Sequence, residues 1–147
     1  MMNKNLILLE LMNCAITPLG CEFLTKALDP SVGPSLQVLK LDYNPEIGDS
    51  GIAILAECLR KNKVLTMVSL AYCGITALGA ESLFTVLIYQ CSQIELINLS
   101  GNQFKNEGIM PIFRGLAAAK SLVKAQLCDC GWEDCEEVVQ AMKISFT

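Results

Sequence analysis

The chain has 147 residues, of which 52% are hydrophobic and 18% charged, a length for one domain and a composition more apolar than usual for a soluble one. Its formal net charge is −4 and no block of like charge interrupts it, so nothing steers it toward nucleic acid or an acidic membrane surface. It has eight cysteines and no histidine, which removes Ser-His and Cys-His catalytic pairs and every imidazole metal ligand.

From the N-terminus, a lysine followed by Leu6-Ile7-Leu8-Leu9 resembles a short signal peptide, but Glu10 and Asn13 break the apolar run. The same leucines open a repeating frame, and the structural reading prevails. No run reaches the ~18 apolar residues of a membrane span. The frame is clearest in Leu36 to Asn44, which reads L-x-x-L-x-L-x-x-N, and it recurs at Leu6 to Cys14, Leu65 to Cys73, Ile94 to Asn102 and Leu122 to Cys130. The ninth position runs Cys14, Asn44, Cys73, Asn102, Cys130, in steps of 30, 29, 29 and 28 residues. A period near 29 signals a solenoid.

In repeat one (residues 6–35) Leu6, Leu9 and Leu11 point inward from a short strand, Cys14 turns the chain and Ile16 plugs the core. Thr17-Pro18 reads as a helix start, Gly20, Leu24 and Leu28 mark its inner face, and the Pro/Gly-rich stretch after Asp29 ends it. Repeat two (36–64) uses Leu36, Leu39, Leu41, Asn44 and Ile47, with Pro45 in a turn one residue longer, then Gly51, Leu55 and Leu59, capped by Asp49 or Ser50. Repeat three (65–93) uses Leu65, Val68, Leu70, Cys73 and Ile75, with Thr76 as cap candidate before Gly79, Leu83 and Leu87. Repeat four (94–121) uses Ile94, Ile97, Leu99, Asn102 and Phe104, then Gly108, Ile112 and Leu116, with Pro111 placed in about the first helical turn, where it is tolerated.

Repeat five (122–147) uses Leu122, Ala125, Leu127, Cys130 and Trp132, and then frays. Cys135 takes the glycine position, Val139 keeps the inner face, and Lys143 stands where the other four repeats have leucine, as at an end that meets water. Trp132 occupies the plug position and reads as core. The glycine column (Gly20, Gly51, Gly79, Gly108) marks where a helix backbone approaches its neighbour too closely for a side chain. The Asn/Cys column supplies side chains that satisfy turn backbone groups.

Cys14, Cys73 and Cys130 lie two repeats apart. With neighbouring strands ~4.8 Å apart that is ~10 Å, beyond disulfide reach. The cysteines therefore read as reduced and structural, and the expected location is cytoplasmic.

These residues resemble leucine-rich repeats of the ribonuclease-inhibitor type over residues 6 to about 143. The period accommodates a full helix per repeat, cysteine and asparagine alternate at the ninth position, and a glycine follows the plug by four. The resemblance implies an α/β fold: a right-handed horseshoe solenoid of about five strand-helix repeats, with a parallel sheet on the concave face and helices on the convex face, forming one domain over residues 1–147. Proteins with such repeats include the ligand-sensing ends of NOD-like receptors, the GTPase-activating protein of Ran, tropomodulin-like actin cappers and ciliary scaffold proteins.

On each strand the residues between the leucines face the concave surface. The third position gives Leu8, Val38, Met67, Leu96, Lys124; the fifth Glu10, Lys40, Ser69, Asn98, Gln126; the seventh Met12, Asp42, Ala71, Ser100, Cys128; the eighth Asn13, Tyr43, Tyr72, Gly101, Asp129. The expected protein-binding residues are Glu10, Lys40, Asp42, Tyr43, Met67, Ser69, Tyr72, Asn98, Ser100 and Gln126. Tyr43 and Tyr72 either present contact area to a partner or simply stack across adjacent coils. The acids of this face are offset by Lys40 and Lys124, which disfavours nuclease inhibition, and Arg60 and Arg114 fall on or near helices, which disfavours activation of a GTPase.

The expected function is a non-enzymatic protein–protein interaction module or scaffold, and the alternative is a regulatory ligand-sensing or inhibitory domain of a larger protein. The chain is expected to use no cofactor, metal, nucleic acid or membrane. The thiol cluster Cys128-x-Cys130-x4-Cys135 lacks the usual zinc ligand count and spacing, and the acids from Glu133 to Glu137 suit a helix N-terminus. The unshielded first strand suggests a fragment of a longer chain or one packed against a partner.

Overall fold

The computed structural model describes residues 4–29, 31, 35–89, 93–134 and 136–146. Strand and helix alternate five times: β1 (Leu8–Glu10), α1 (Pro18–Ala27), β2 (Val38–Lys40), α2 (Gly48–Lys61), β3 (Met67–Ser69), α3 (Ala77–Ile88), β4 (Leu96–Asn98), α4 (Lys105–Ala118), β5 (Lys124–Gln126) and α5 (Glu136–Phe146). The strands form one parallel sheet in sequence order, and each helix packs on the next along the chain. The result is a leucine-rich-repeat solenoid of five coils, coil 1 being β1 with α1 and so on.

The register follows the repeat. Leu8, Val38, Met67, Leu96 and Lys124 are mutual partners across the sheet, and so are Glu10, Lys40, Ser69, Asn98 and Gln126. Leu41, Leu70 and Leu99 are all fully buried, as are the plugs Ile47, Ile75 and Phe104. Equivalent leucines thus share one continuous core. At the first coil the frame is the same, and Leu6, Leu9 and Leu11 pack half-buried against the core. In coil 5, Trp132 is half-buried and meets Phe113 edge-on at 6.1 Å.

The ninth-position side chains tie the coils together. Asn44 gives its amide N–H to the carbonyls of Leu41 (2.7 Å) and Leu11 (2.8 Å), and its Oδ1 accepts from Cys14 N (2.8 Å) and Ile16 N (3.1 Å). Asn102 does the same for Leu99, Leu70, Cys73 N and Ile75 N. Cys73 donates its thiol to Leu41 O at 3.2 Å, and Cys130 to Leu99 O at 3.4 Å. The coils therefore alternate between a Cys type and an Asn type. The backbone alternates with them: the second left-handed turn residue is Ala15, Gly74 and Gly131 in the Cys type, but Gly48 and Lys105 in the Asn type.

The glycine column is needed for packing. A Cβ on Gly79 would stand 2.4 Å from Ile75 Cγ2 and 2.9 Å from Ile52 Cγ2, and one on Gly108 would stand 2.9 Å from Ala77 Cα.

Helix starts differ from expectation in instructive ways. Thr17 occupies the N-cap position of α1 with Pro18 after it, but its side chain makes no capping bond. Neither Asp49 nor Ser50 caps α2. Asp49 instead crosses to coil 3, where it accepts from Thr76 N (2.8 Å), Thr76 Oγ1 (2.6 Å) and Gly79 N (2.9 Å), while Thr76 Oγ1 accepts from Leu78 N as a cap should. Pro111 lies well inside α4 rather than in its first turn, because that helix begins immediately after Phe104. In α5 the buried valine is Val138, and Val139 is half-buried. Lys143 is exposed, and Cys135 lies outside the described residues.

Candidate protein-binding surface

The five three-residue strands hold their alternate side chains on the concave face, with spacing fixed by the parallel ladder. At its N-terminal end Lys40 Nζ meets Glu10 Oε1 at 2.5 Å, and the Glu10 carboxylate holds the Lys40 ammonium above its ordinary range. An exposed pair like this contributes little stability and leaves the two charges largely neutralised toward a partner.

Asp42 and Ser69 require a correction. Both were expected to present polar atoms to solvent, and both are buried, at 5% and 3% exposure. Asp42 Oδ1 accepts from Ser69 Oγ at 2.5 Å and from Ala71 N at 2.8 Å. The seventh-position carboxylate turns under the next coil because Ala71 leaves room and its N–H needs an acceptor. These two residues form the floor of a shallow groove of about 340 Å³, walled by Met12, Lys40, Tyr43, Met67, Tyr72 and Asn98. Met67, Asn98, Ser100 and Gln126 are half-buried on the same face. Asn98 Oδ1 accepts from Ser100 N (3.1 Å), and Ser100 Oγ from Cys128 N (3.1 Å).

The eighth-position column decides the character of the face. Asn13, Tyr43, Tyr72, Gly101 and Asp129 all have left-handed backbones, with φ between 51° and 72°, because this residue begins the turn out of each strand. Its N–H reaches the next coil, as in Tyr43 N to Ala71 O (2.8 Å) and Tyr72 N to Ser100 O (2.9 Å). Glycine, asparagine and aspartate suit such a backbone; tyrosine is a costly choice there.

The two tyrosine rings stack, with centroids 5.0 Å apart and planes 7° apart, yet they stay 51% and 40% exposed. Tyr72 leans over Gly101, where any Cβ would come within 2.4 Å of its ring, and its hydroxyl donates to Asp129 Oδ2 at 3.3 Å. The Asp129 charge pushes the Tyr72 phenol up from its ordinary value. On the far side of the rings lies a second groove of about 420 Å³, lined by Asn13, Pro45, Gly74, Gly101 and Gln103. The tyrosines thus form a ridge between two grooves.

The structure brings Tyr43, Tyr72, Met67 and Asn98 together around one groove. The sequence reading overlooked Gly101 and Asp129 as the residues that position Tyr72; both stand in the same column, and a glycine beside a stack of aromatics was the available signal.

Comparison with known proteins agrees with this architecture. The leucine-rich repeat family model matches residues 34–56, 61–84 and 90–113. The chain is 34% identical to mouse ribonuclease inhibitor over 125 residues, which is 84% of the chain and 26% of that protein. It is a leucine-rich repeat protein of the ribonuclease-inhibitor type. Human NACHT, LRR and PYD domains-containing protein 13 is 33% identical over 112 residues, covering 76% of the chain and 10% of the relative. Its human relative, protein 14 of that series, is 31% identical over 144 residues, covering 96% and 13%. The chain therefore spans only 10% to 26% of the length of these relatives.

Among solved structures, the C-terminal domain of Caenorhabditis elegans tropomodulin superposes with a TM-score of 0.73 at 14% identity, covering 97% of the chain and 83% of that domain. Actin-binding site 2 of leiomodin-1 superposes at 0.68 and 19% identity, covering 84% and 69%. At those identities the likeness is one of fold.

Among the described residues no helix is long and apolar enough to cross a membrane. None of their His, Cys, Asp and Glu side chains gather into a group of three or more that could hold a metal ion.

Proposed function

We propose that the chain is a non-enzymatic module that binds a protein partner on its concave face, with the Tyr43–Tyr72 ridge at the centre of contact. The observation that carries this reading is the stacked, half-exposed pair on left-handed backbones. The turn accepts glycine or asparagine at lower cost, and backbone strain retained by an exposed aromatic invites a functional explanation. Tyrosine offers large contact area for little lost side-chain entropy, and the grooves on either side give a partner something to enter. Leu8, Val38 and Leu96 form an apolar column at the opposite end of the strands from the ridge, while Asn98, Ser100 and Gln126 supply polar contacts.

The test is quantitative capture of partner proteins by the wild-type chain and by Tyr43→Ala/Tyr72→Ala, with circular dichroism as the folding control. Partners that the wild type retains should fall at least about tenfold, as expected for the loss of a central aromatic anchor. Undiminished capture by a folded variant places the contact elsewhere.

A second reading is a regulatory ligand-sensing or inhibitory unit of a larger protein. The similarity to NACHT, LRR and PYD domains-containing proteins, of which the chain spans a small part, favours it. The two readings share the concave face and differ in what the rest of the polypeptide does with the bound state. In both, the expected location is cytoplasmic.

A further inference from the structure

The two grooves beside the tyrosine ridge differ in chemistry. The one on the strand side has the Lys40 ammonium on its wall and the Asp42 carboxylate in its floor. The one beyond the rings, of about 420 Å³, is lined by two tyrosines, a proline, two glycines and the amides of Asn13 and Gln103. None of these described residues is charged at neutral pH. Its main-chain donors are already used: Tyr43 N bonds Ala71 O, Tyr72 N bonds Ser100 O, Gly101 N bonds Cys128 O at 2.7 Å, and Gln103 N bonds Ile75 O at 2.8 Å. An added β-strand would find no ladder to join here. The side chains are placed differently. Asn13, Tyr43 and Gln103 are exposed, and their amides and hydroxyl have no hydrogen-bond partner among the described residues.

The aromatic stack is closed at one end and open at the other. Gly101 closes off Tyr72, since a Cβ there would come within 2.4 Å of the ring. Tyr43 stacks on Tyr72 through one face. Its other face turns toward coil 1, where the same column has only the short side chain of Asn13, on the wall of the uncharged groove.

We infer that this groove takes a proline-rich segment of a protein partner in the polyproline II conformation, crossing from Asn13 to Gln103 with a proline ring on the open face of Tyr43. The inference rests on the reading of the tyrosine ridge as the contact surface and names the chemistry of the partner. Complementarity selects the occupant. A polyproline II chain has no internal hydrogen bonds and leaves its carbonyls to outside donors, which the Asn13 and Gln103 amides supply. Its prolines bring no N–H, so they ask for no acceptor from a main chain already engaged. Aromatic-lined grooves suit such segments. An arginine would also stack on Tyr43, but it needs a counter-charge. The three acids of the concave columns are engaged: Glu10 with Lys40, Asp42 with Ser69 and Ala71, and Asp129 with the Tyr72 hydroxyl. The length fits as well. Asn13 and Gln103 belong to coils 1 and 4, three strand spacings or about 14 Å apart. At about 3.1 Å per residue that span holds about five residues.

The test titrates the chain with three end-blocked fluorescent peptides of equal length: decaproline, an alternating Gly-Ser peptide and an alternating Arg-Gly peptide. Salt at about 0.15 M screens long-range attraction to the net negative charge. Fluorescence anisotropy gives the affinities, and proton–nitrogen NMR follows the side-chain amides. Decaproline should bind at least about tenfold more tightly than the Gly-Ser peptide, because it is already ordered. Its binding should shift the side-chain NH2 signals of Asn13 and Gln103. Asn13→Ala/Gln103→Ala removes both donors and no aromatic ring, and should weaken decaproline at least about fivefold. Circular dichroism checks the fold of that variant, and the wild-type signals decide the matter should it misfold. No preference for decaproline over the Gly-Ser peptide, Asn13 and Gln103 signals that stay put, or tighter binding of the Arg-Gly peptide overturns the inference. If decaproline fails while protein capture still falls in Tyr43→Ala/Tyr72→Ala, this inference alone is lost. If capture is undiminished in that folded variant, the ridge reading is lost and this one with it.

Discussion

Asn102 stands one coil beyond Cys73 and accepts the Cys73 N–H at 3.1 Å, while its own amide N–H reaches Leu70 O at 2.8 Å. One side chain thus closes a turn in its neighbour and ties the two strand ends together. Asn44 does the same for coil 1. The surroundings differ, since Cys73 and Ile75 are buried while Cys14 is exposed and Ile16 half-buried. Asn102→Ala leaves two dry donors without an acceptor, and at about 1–3 kcal/mol each the expected loss is about 3 kcal/mol. Asn44→Ala should cost about half as much, because water reaches the donors of coil 1. Urea denaturation of the two variants measures the difference, and equal losses would contradict the account.

The glycine column offers a second graded comparison. Alanine at Gly79 places a Cβ against Ile75, Ile52 and the Asp49 carboxylate that caps α3, so Gly79→Ala should destabilise by about 2 kcal/mol or more. At Gly20 the same methyl meets Ile16 alone, with Cγ2 at 3.0 Å and Cβ at 3.9 Å. Against that single neighbour stands the helix-propensity gain of alanine over glycine, about 1 kcal/mol. Gly20→Ala should therefore leave the thermal midpoint within about 3 °C of wild type.

Most of this architecture was legible in the sequence, because a repeat states its inward-facing positions five times. The strand register, the core leucines, the plugs and the glycine column all follow from the spacing. What escaped was whatever depends on one coil meeting the next at an angle the period does not encode. Asp49 reads as a cap for its own helix and serves the next one. Asp42 reads as a surface carboxylate and turns inward, because Ala71 beside it is small and offers it a backbone N–H. Pro111 reads as a first-turn proline because the length of the Asn-type turn is not visible in the leucine pattern. The tyrosine ridge was legible as a pair, but not its support by Gly101 and Asp129, since a contact between Tyr72 and Asp129 skips a coil.

The buried thiols make stability fall in alkali. Burial pushes the Cys73 thiol up to about 12 from its ordinary 9.0, and Cys21 and Cys130 to about 11. Above pH 9 the unfolded chain releases these protons while the folded chain keeps them, so the unfolded state binds fewer protons and stability declines as pH rises. Their contribution is fully present below pH 9 and is lost between there and the folded values, at up to about 1.4 kcal/mol per pH unit for each thiol. Urea midpoints at pH 8 and pH 10 should show the drop, with a smaller one in Cys73→Ala. Alkylation at pH 8 should label the exposed Cys14 and Cys128 long before Cys73.

Concave-face substitutions should separate into two groups. Asp42→Ala removes the acceptor of Ala71 N and Ser69 Oγ, so it should lower stability by about 2 kcal/mol while leaving partner affinity, measured well below the melting temperature, within about twofold. Tyr72→Ala removes an exposed ring, and its backbone is relieved by losing a bulky side chain from a left-handed turn, so stability should change by less than about 1 kcal/mol while capture of the partner falls. Asp129→Ala frees the Tyr72 hydroxyl and loosens the ridge without removing it, so capture should fall less than in Tyr72→Ala. Calorimetric unfolding paired with binding on the same preparations checks all three. If Asp42→Ala weakens binding as much as Tyr72→Ala does in protein that is still folded, the partner reaches the groove floor and the ridge is not the centre of contact.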